Sequence, residues 1–305
     1  MQRLRAAIER ASVDTLLIQF NFSFFALPAF ASLLDWAHAR GIRTLVTFHS
    51  TADVEHGGVL KSLRILKESL ARCARLLVHS VSDLNRLLDF GLPDNLLLFP
   101  HGVIETPAPA PGPAQLATGL QGKTVIASYG FLLPHKGVPE LIEGFALLAQ
   151  QDPGLHLLLV NAQYPVPASA ELVAACQVRI GQADLTGRVT LVSDYLEDSE
   201  SLAWLGLADC IVFPYQHTQE SSSAAVRWGL SVGKPVLCTP LAIFEDVAEA
   251  VTFLPGTSCE SLAEGLRQYL QQRPEAKQQQ WLRTHAWSAV SARLRNLLIA
   301  LAATP

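Results

Sequence analysis

No stretch of 18 apolar residues free of charge or strong polarity occurs in this 305-residue chain, so no membrane span is expected. Charge of either sign is scarce and nearly balanced: 23 Lys and Arg stand against 27 Asp and Glu, a net −4. That balance offers no electrostatic footprint for nucleic acid. Cysteine is limited to Cys73, Cys176, Cys210, Cys238 and Cys259. Their number is odd and their spacing fits no metal site, so they read as reduced, mostly buried thiols of a cytoplasmic protein. No Asp-x-Asp pair is present, and neither a metal nor another cofactor is expected. The opening MQRLRAAIERASVD is charged and amphipathic, unlike a signal peptide.

What is present is apolar and rhythmic. Half of the residues are hydrophobic, so core material is not limiting. Short apolar runs alternate with segments of helical period: DTLLIQF then FASLLDWAHARG, IRTLVTF then VLKSLRILKESLARC, ARLLVHS then SVSDLNRLLDFG, and NLLLFPHGV. A segment dense in proline follows, with Pro107, Pro109, Pro111 and Pro113. Neither a helix nor a central strand tolerates so many missing amides, so it reads as a linker. The rhythm then restarts with KTVIASYGFL, LHLLLVNAQY, RVTLVSDYL, DCIVFPY, KPVLCTP and VTFLPG as strands separated by helices. Alternation of this kind predicts parallel sheets with helices on both faces.

The expected organisation is therefore α/β, with two doubly wound parallel-sheet domains. Residues 1–104 form an incomplete first domain of about four strands, 105–122 a linker, 123–284 a second domain of about six strands, and 285–305 a final helix returning to the first. Ligands in such sheets bind at the carboxyl ends of strands, and the expected crevice lies where the two sheets face each other. FNFSFFALPAF, from Phe20 to Phe30, reads chiefly as core. Contact with a lipid-linked acceptor or a membrane face, or a sheet edge that pairs with a second copy, stays open for it.

Loops after strands carry the candidate chemistry. His49 follows the strand run RTLVTF, either capping its end or serving a site. SYGFLLPHKGVPELIEGF places Gly130, His135, Lys136 and Gly137 before a helix. Glycine permits close backbone approach, and a lysine beside a helix N-terminus suits an anion such as a diphosphate. VFPYQHTQESSSAAVRWGLSVGKPVLCTP puts Glu220 and Ser221, Ser222 and Ser223 between two strands. The serines are expected to start a helix, as caps or as hydroxyls for an anion or sugar. Glu220 can accept from sugar hydroxyls or simply favour the helix dipole.

Together, in this order, the segments ARLLVHSVSDLNRLLDFGLPDNLLLFPHGV, YGFLLPHKGVPELIEGFALL, LADCIVFPYQHTQESSSAAVRWGLSVGKPVLCTP and HAWSAVSARLRNLLIAL resemble those of retaining glycosyltransferases of the GT-B fold, group 1 (GT4) family. The resemblance implies two Rossmann-like domains and transfer of a sugar from a nucleotide-diphosphate donor to a glycan or lipid-linked acceptor. It assigns Lys136, with the Gly130–Gly137 loop, to the donor diphosphate, Glu220 to the sugar hydroxyls, and His49 to orienting the sugar. Backbone at Ser221, Ser222 and Ser223 would approach sugar and phosphate. Three departures stand out. Phe131 replaces a basic residue, Trp228 stands where a second glutamate should follow Glu220, and the family's first strands, on the acceptor side, have no counterpart before the chain's opening residues. Arg227 serves phosphate or ribose, or is a solvated helix residue. The alternative reading is a catalytically impaired module of this fold that binds a nucleotide-sugar or a partner protein. A sugar-nucleotide epimerase would need further carboxylates.

Overall fold

The computed structural model describes residues 1–56, 58–92, 94–105, 118–274 and 278–303. The chain divides into two compact units. Unit 1 comprises the residues up to His101, Gln219–Ser222 and the residues from Ser291 onward; unit 2 comprises Gly102–Thr218 and Ser223–Val290. Most of the expected linker, residues 106–117, lies outside the described residues.

Unit 1 begins with α1 (Gln2–Ala11), β1 (Thr15–Phe20), α2 (Leu27–Ala39) and β2 (Arg43–Phe48). A small antiparallel hairpin of β3 (Val54–His56) and β4 (Val59–Lys61) follows, then a 3-10 turn at Leu63–Leu66, α3 (Lys67–Ala71), β5 (Arg75–Val78), α4 (Val81–Asp89) and β6 (Leu96–Leu98). The four main strands form a parallel sheet in the order β1-β2-β5-β6. Every residue of β2 after Arg43 is buried, as expected for a parallel strand covered on both faces. The helix expected over VLKSLRILKESLARC is thus broken into a strand, a 3-10 turn and one short helix. The Ser62 hydroxyl accepts the Arg64 amide, an arrangement that starts a new turn rather than continuing a helix.

The phenylalanine-rich stretch is mainly core. Phe20 stands within 4.9–5.9 Å, ring centre to ring centre, of Phe22, Phe25, Phe30 and Phe48. Phe20, Phe22 and Phe30 are buried, while Phe24 remains exposed. Burying aromatic rings of this size dominates the energetics of a small core. The residues from Ser291 belong to unit 1, where Arg43 donates to the Leu301 carbonyl.

Unit 2 runs β7 (Thr124–Leu132), α5 (Val138–Ala149), β8 (Leu155–Gln163), α6 (Pro167–Gln182), β9 (Val189–Val192), α7 (Asp198–Gly206), β10 (Cys210–Phe213), α8 (Ala224–Ser231), β11 (Val236–Cys238), β12 (Thr252–Phe253), α9 (Cys259–Gln272), α10 (Gln278–His285) and α11 (Trp287–Ala303), the last continuing into unit 1. IFEDVAEA is a 3-10 turn, Ala242–Val247. The six parallel strands lie in the order β12-β11-β10-β7-β8-β9. The order reverses between β7 and β10, where the connections leave toward opposite edges of the sheet. That is the topological switch point at which open α/β sheets bind ligands. Asp209 locks this junction: its carboxylate accepts the Val125 amide at 2.7 Å, and its own amide donates to the Val125 carbonyl at 2.8 Å. The Ala-Asp pair ahead of CIVFP is therefore structural.

Four of the five thiols are buried. Burial pushes Cys210 up to about 12 and Cys73 and Cys176 up to about 11, and holds Cys238 well above the ordinary thiol range. Because the thiolate is the reactive form, a disulfide reagent at pH 8 should titrate Cys259 first in the folded protein. All five should react once the chain is unfolded in denaturant. Rapid labelling of three or more thiols before unfolding would contradict this packing.

Candidate functional site

The candidate residues fall into two groups, one in each unit. In unit 2 the loop after β7 turns through a short 3-10 segment, Pro134–Lys136, into α5. Gly130, two residues before the end of β7, has φ 126°, and Gly137 takes φ 71° at the helix start. Both lie in the region that only glycine adopts without strain. Gly137 has a second reason to be glycine. A Cβ there would stand 1.8 Å from the Pro214 carbonyl oxygen. Its close approach is thus to the chain's own loop after β10, not an opening reserved for a ligand. The Gln216 amide donates to the His135 carbonyl at 2.9 Å, and Gln216 Nε2 reaches the Pro214 and Thr257 carbonyls at 3.0 Å each. These contacts tie together the two loops that flank the switch point.

Lys136 lies in that tied pair, half-buried, with Nζ 3.9 Å from the centre of the buried Tyr215 ring. An ammonium over an aromatic face is held without losing its charge. It is held beside the first turn of α5, whose amides have no partner inside the helix. Glu140 in the same turn brings a negative charge, so Lys136 is the side chain that makes this corner receptive to an anion.

Glu220 and the serines are placed differently from expectation. The helix after β10 starts at Ala224, not at Ser221. Ser223 is its N-cap, accepting the Val226 amide at 3.3 Å and meeting Tyr215 Oη at 3.1 Å. Ser221 and Ser222 precede the helix and, with Gln219 and Glu220, belong to unit 1. There the Ser221 amide donates to the His49 carbonyl at 3.3 Å and the Ser50 hydroxyl donates to the Gln219 carbonyl at 3.1 Å. The Ser221 amide is therefore already used by the protein. Its hydroxyl is buried without a hydrogen-bond partner among the described residues, a condition that costs free energy unless another group supplies one. Glu220 is exposed.

His49 stands at the carboxyl end of β2, its Nε2 2.8 Å from Gln19 Oε1. Burial holds its pKa below the ordinary value of 6.5. Two further histidines, unremarked in the sequence, stand with it. His79 after β5 and His101 after β6 have ring centres 5.3 and 6.3 Å from that of His49, and 5.2 Å from each other. Each follows an apolar strand run, LLV and LLLFP, the same positional signal that marks His49. Their proximity is a property of the sheet order, which is invisible in the sequence. Among the described residues no group of His, Cys, Asp and Glu side chains is arranged to hold a metal ion.

Arg227 is not a solvated helix residue. It is buried, donates to the Ser223 carbonyl at 2.7 Å, and pairs with the buried carboxylate of Asp246. Burial lowers its pKa, with Asp246 opposing the shift. Trp228, at the position expected for a second glutamate, packs against Tyr129 with ring centres 5.9 Å apart. That position belongs to the core layer under α8.

The family model described as "Glycosyl transferases group 1" matches residues 117–283. A comparison with curated proteins returns no match. Solved structures of similar fold include a glycosyltransferase from Rickettsia africae, with TM-score 0.77 and 14% identity, covering 100% of this chain and 81% of that one. Sucrose-phosphate synthase from Thermosynechococcus elongatus superposes with TM-score 0.77 and 18% identity over 100% of this chain and 77% of its own. Anabaena HepE in complex with UDP gives 0.78 and 14% over 98% of this chain and 82% of its own.

Two measurements check the site's electrostatics. Removing one partner of a buried ion pair strands the other charge, at about 3–5 kcal/mol. Asp246→Ala should lose roughly that much in urea unfolding, whereas Arg227→Met combined with Asp246→Leu should recover most of it. An Asp246→Ala variant as stable as the parent would refute a buried pair. The His49 ring should titrate below 6.5 in an NMR pH series. The unfolded chain then binds its proton first, so the His49 contribution to stability is present above about pH 6.5 and declines as pH falls below it.

Proposed function

The chain belongs to the group 1 glycosyl transferases, and from that premise we propose that it moves a sugar from a nucleotide-diphosphate donor to a glycan or lipid-linked acceptor with retention of anomeric configuration. Sugar transfer is the activity of the family. The donor class, the stereochemical outcome and the acceptor are the reading argued here. The observation that carries it is Lys136, fixed over Tyr215 at the switch point between β7 and β10 and beside the start of α5. Departure of a nucleoside diphosphate develops negative charge on its phosphate oxygens. A fixed ammonium and helix amides stabilise that charge in the transition state without reorganising. The complex of HepE with UDP supports a donor of this class.

In this reading Glu220 accepts from hydroxyls of the donor sugar and His49 orients it. The lowered pKa of His49 keeps its imidazole neutral near pH 7, so one ring nitrogen donates while the other accepts. The orphan hydroxyl of Ser221 is a further polar group for the sugar or phosphate. Gly130 and Gly137 shape the loop that presents Lys136, and Ser222 and Ser223 flank the start of α8. Trp228 cannot replace a carboxylate as an acceptor for ribose hydroxyls, so ribose recognition relies on other groups. The chemistry needs no metal in this scheme. The free, mostly buried thiols support a cytoplasmic location in this reading. Among the described residues no helix is long and apolar enough to cross a membrane, and any contact with a membrane-borne acceptor is peripheral in this reading.

Replacing Lys136 with Ala removes one charge-assisted contact, worth about 1.5–3 kcal/mol. Affinity for the productive nucleoside diphosphate, found by screening UDP, GDP and ADP in calorimetry, should fall by roughly 10- to 150-fold. Sugar release from the corresponding nucleotide-sugar should fall at least as far. Unchanged nucleotide affinity in Lys136→Ala would remove the central assignment.

A further inference from the structure

A buried polar network lies behind the loop that carries His49, and the reading above makes no use of it. At its centre is Asp83, in the first turn of α4 and 2% exposed. One carboxylate oxygen accepts the Ser80 hydroxyl at 2.7 Å. The other accepts the Thr51 hydroxyl and, at 3.0 Å, Arg86 Nη1. Arg86 Nη1 also donates to Thr51 Oγ1 at 2.6 Å. Thr51 is fully buried, so its hydroxyl both donates and accepts inside the protein. Ser80 and Asp83 have the spacing of a capping box, in which the acid turns back onto the helix start. Ser80 caps α4 by accepting the Asp83 amide at 3.1 Å. The second carboxylate oxygen is not needed for that cap. It is spent on Thr51, 32 residues away in the chain.

On its other side the same loop holds the segment that carries Glu220. The Ser50 hydroxyl donates to the Gln219 carbonyl, and the His49 carbonyl accepts the Ser221 amide. These two bonds flank Glu220. Its backbone is clamped to the loop on both sides while its side chain stays exposed. His49, Ser50 and Thr51 are consecutive. The first two grip the segment around Glu220, and the third is moored to Asp83. All of these residues belong to unit 1.

We propose that Thr51 and Asp83 are positioning residues, which moor the loop after β2 so that it presents His49 and Glu220 in one fixed arrangement. This rests on the sugar-transfer reading above, and it adds residues that touch no substrate. A carboxylate held at this depth by three donors is spent on the protein, which makes Asp83 a brace rather than a ligand group. Arg86 supplies the opposite charge that such a buried carboxylate requires. Threonine suits the mooring because its branched Cβ restricts χ1. A hydroxyl fixed on Asp83 therefore also fixes the backbone beneath it. Without the mooring, a loop of three residues beyond the strand would sample many backbone states, and each one frozen on binding costs entropy. Glu220 would share that freedom, since its own segment is gripped by the loop and not by a strand or helix. A displacement of about 1 Å at a reacting centre is enough to slow a reaction about 100-fold.

The test compares two readouts on the full chain: calorimetric affinity for UDP, GDP and ADP, and sugar release from UDP-, GDP- and ADP-sugars. Thr51→Val keeps the shape of the side chain and removes the hydroxyl. Its turnover should fall roughly 10- to 100-fold, while its nucleoside diphosphate affinity, assigned to Lys136 in unit 2, stays at the parent's. Thr51→Ser keeps the hydroxyl and should restore most of the lost rate. Ser50→Ala cuts the bond to Gln219, leaves Thr51 and Asp83 in place, and should slow turnover in the same selective way. Parental turnover in Thr51→Val overturns the positioning role and leaves the transfer reading standing. A Thr51→Ser variant no faster than Thr51→Val overturns it too. So does an equal loss of nucleotide affinity and turnover in both Thr51→Val and Ser50→Ala, which marks a general loss of fold. If the parent itself releases sugar from none of the donors, the transfer reading fails, and the positioning role fails with it.

Discussion

The contact on which unit 2 depends is the one between Gly137 and the Pro214 carbonyl. Two loops, one after β7 and one after β10, leave a single parallel sheet toward opposite edges. Left alone they would diverge. The missing side chain of Gly137 lets the β10 loop close to within a distance that no Cβ allows. The Gln216–His135 hydrogen bond then fixes the register of the two loops. Lys136, one residue before Gly137, is carried by that junction onto the Tyr215 ring. A lysine on a free loop has many rotamers to lose on binding an anion. A lysine whose loop is tied at both ends, and whose ammonium already rests on a ring, loses fewer.

The same economy appears in the polar groups around the site. Polar residues of the motif segments are in several cases spent on holding the fold. Asp209 satisfies the Val125 amide. Ser223 caps α8. Arg227 is paired inside the protein with Asp246. A charged or hydroxylated side chain near a strand end has two uses, binding and capping, and buried backbone groups claim the second wherever they lie within reach. Groups whose hydrogen-bonding capacity is not met among the described residues, such as the Ser221 hydroxyl and Asn161 Oδ1, are the more telling markers of a site.

Much of the fold was legible. All ten strands of the two main sheets lie where short apolar runs stand between segments of helical period, and in strands such as β2 and β10 burial on both faces leaves an unbroken apolar signature. What misread was local. VLKSLRILKESLARC has helical period, but the Ser62 hydroxyl and the β3–β4 pairing break it. SSSAAVRWGLSVG suggests a helix from its first serine, yet the chain caps at Ser223. The strand–loop–helix turn that holds Gly130, Lys136 and Gly137 was legible, since a glycine breaker ends the strand run and a proline opens the helix that follows. His79 and His101 were not. Nothing in their spacing tells that β2, β5 and β6 are neighbours.

The sequence alone determined the architecture and the position of the loops, because periodicity and punctuation are local properties written in consecutive residues. It also determined which chemical groups were available at strand ends. Only the tertiary structure decided which of them are spent internally and which stay open. That choice turns on contacts between residues far apart in the chain: Arg227 with Asp246, Gly137 with Pro214, Thr51 with Asp83. Pairing of that kind follows from strand order and packing distance, which no local pattern encodes.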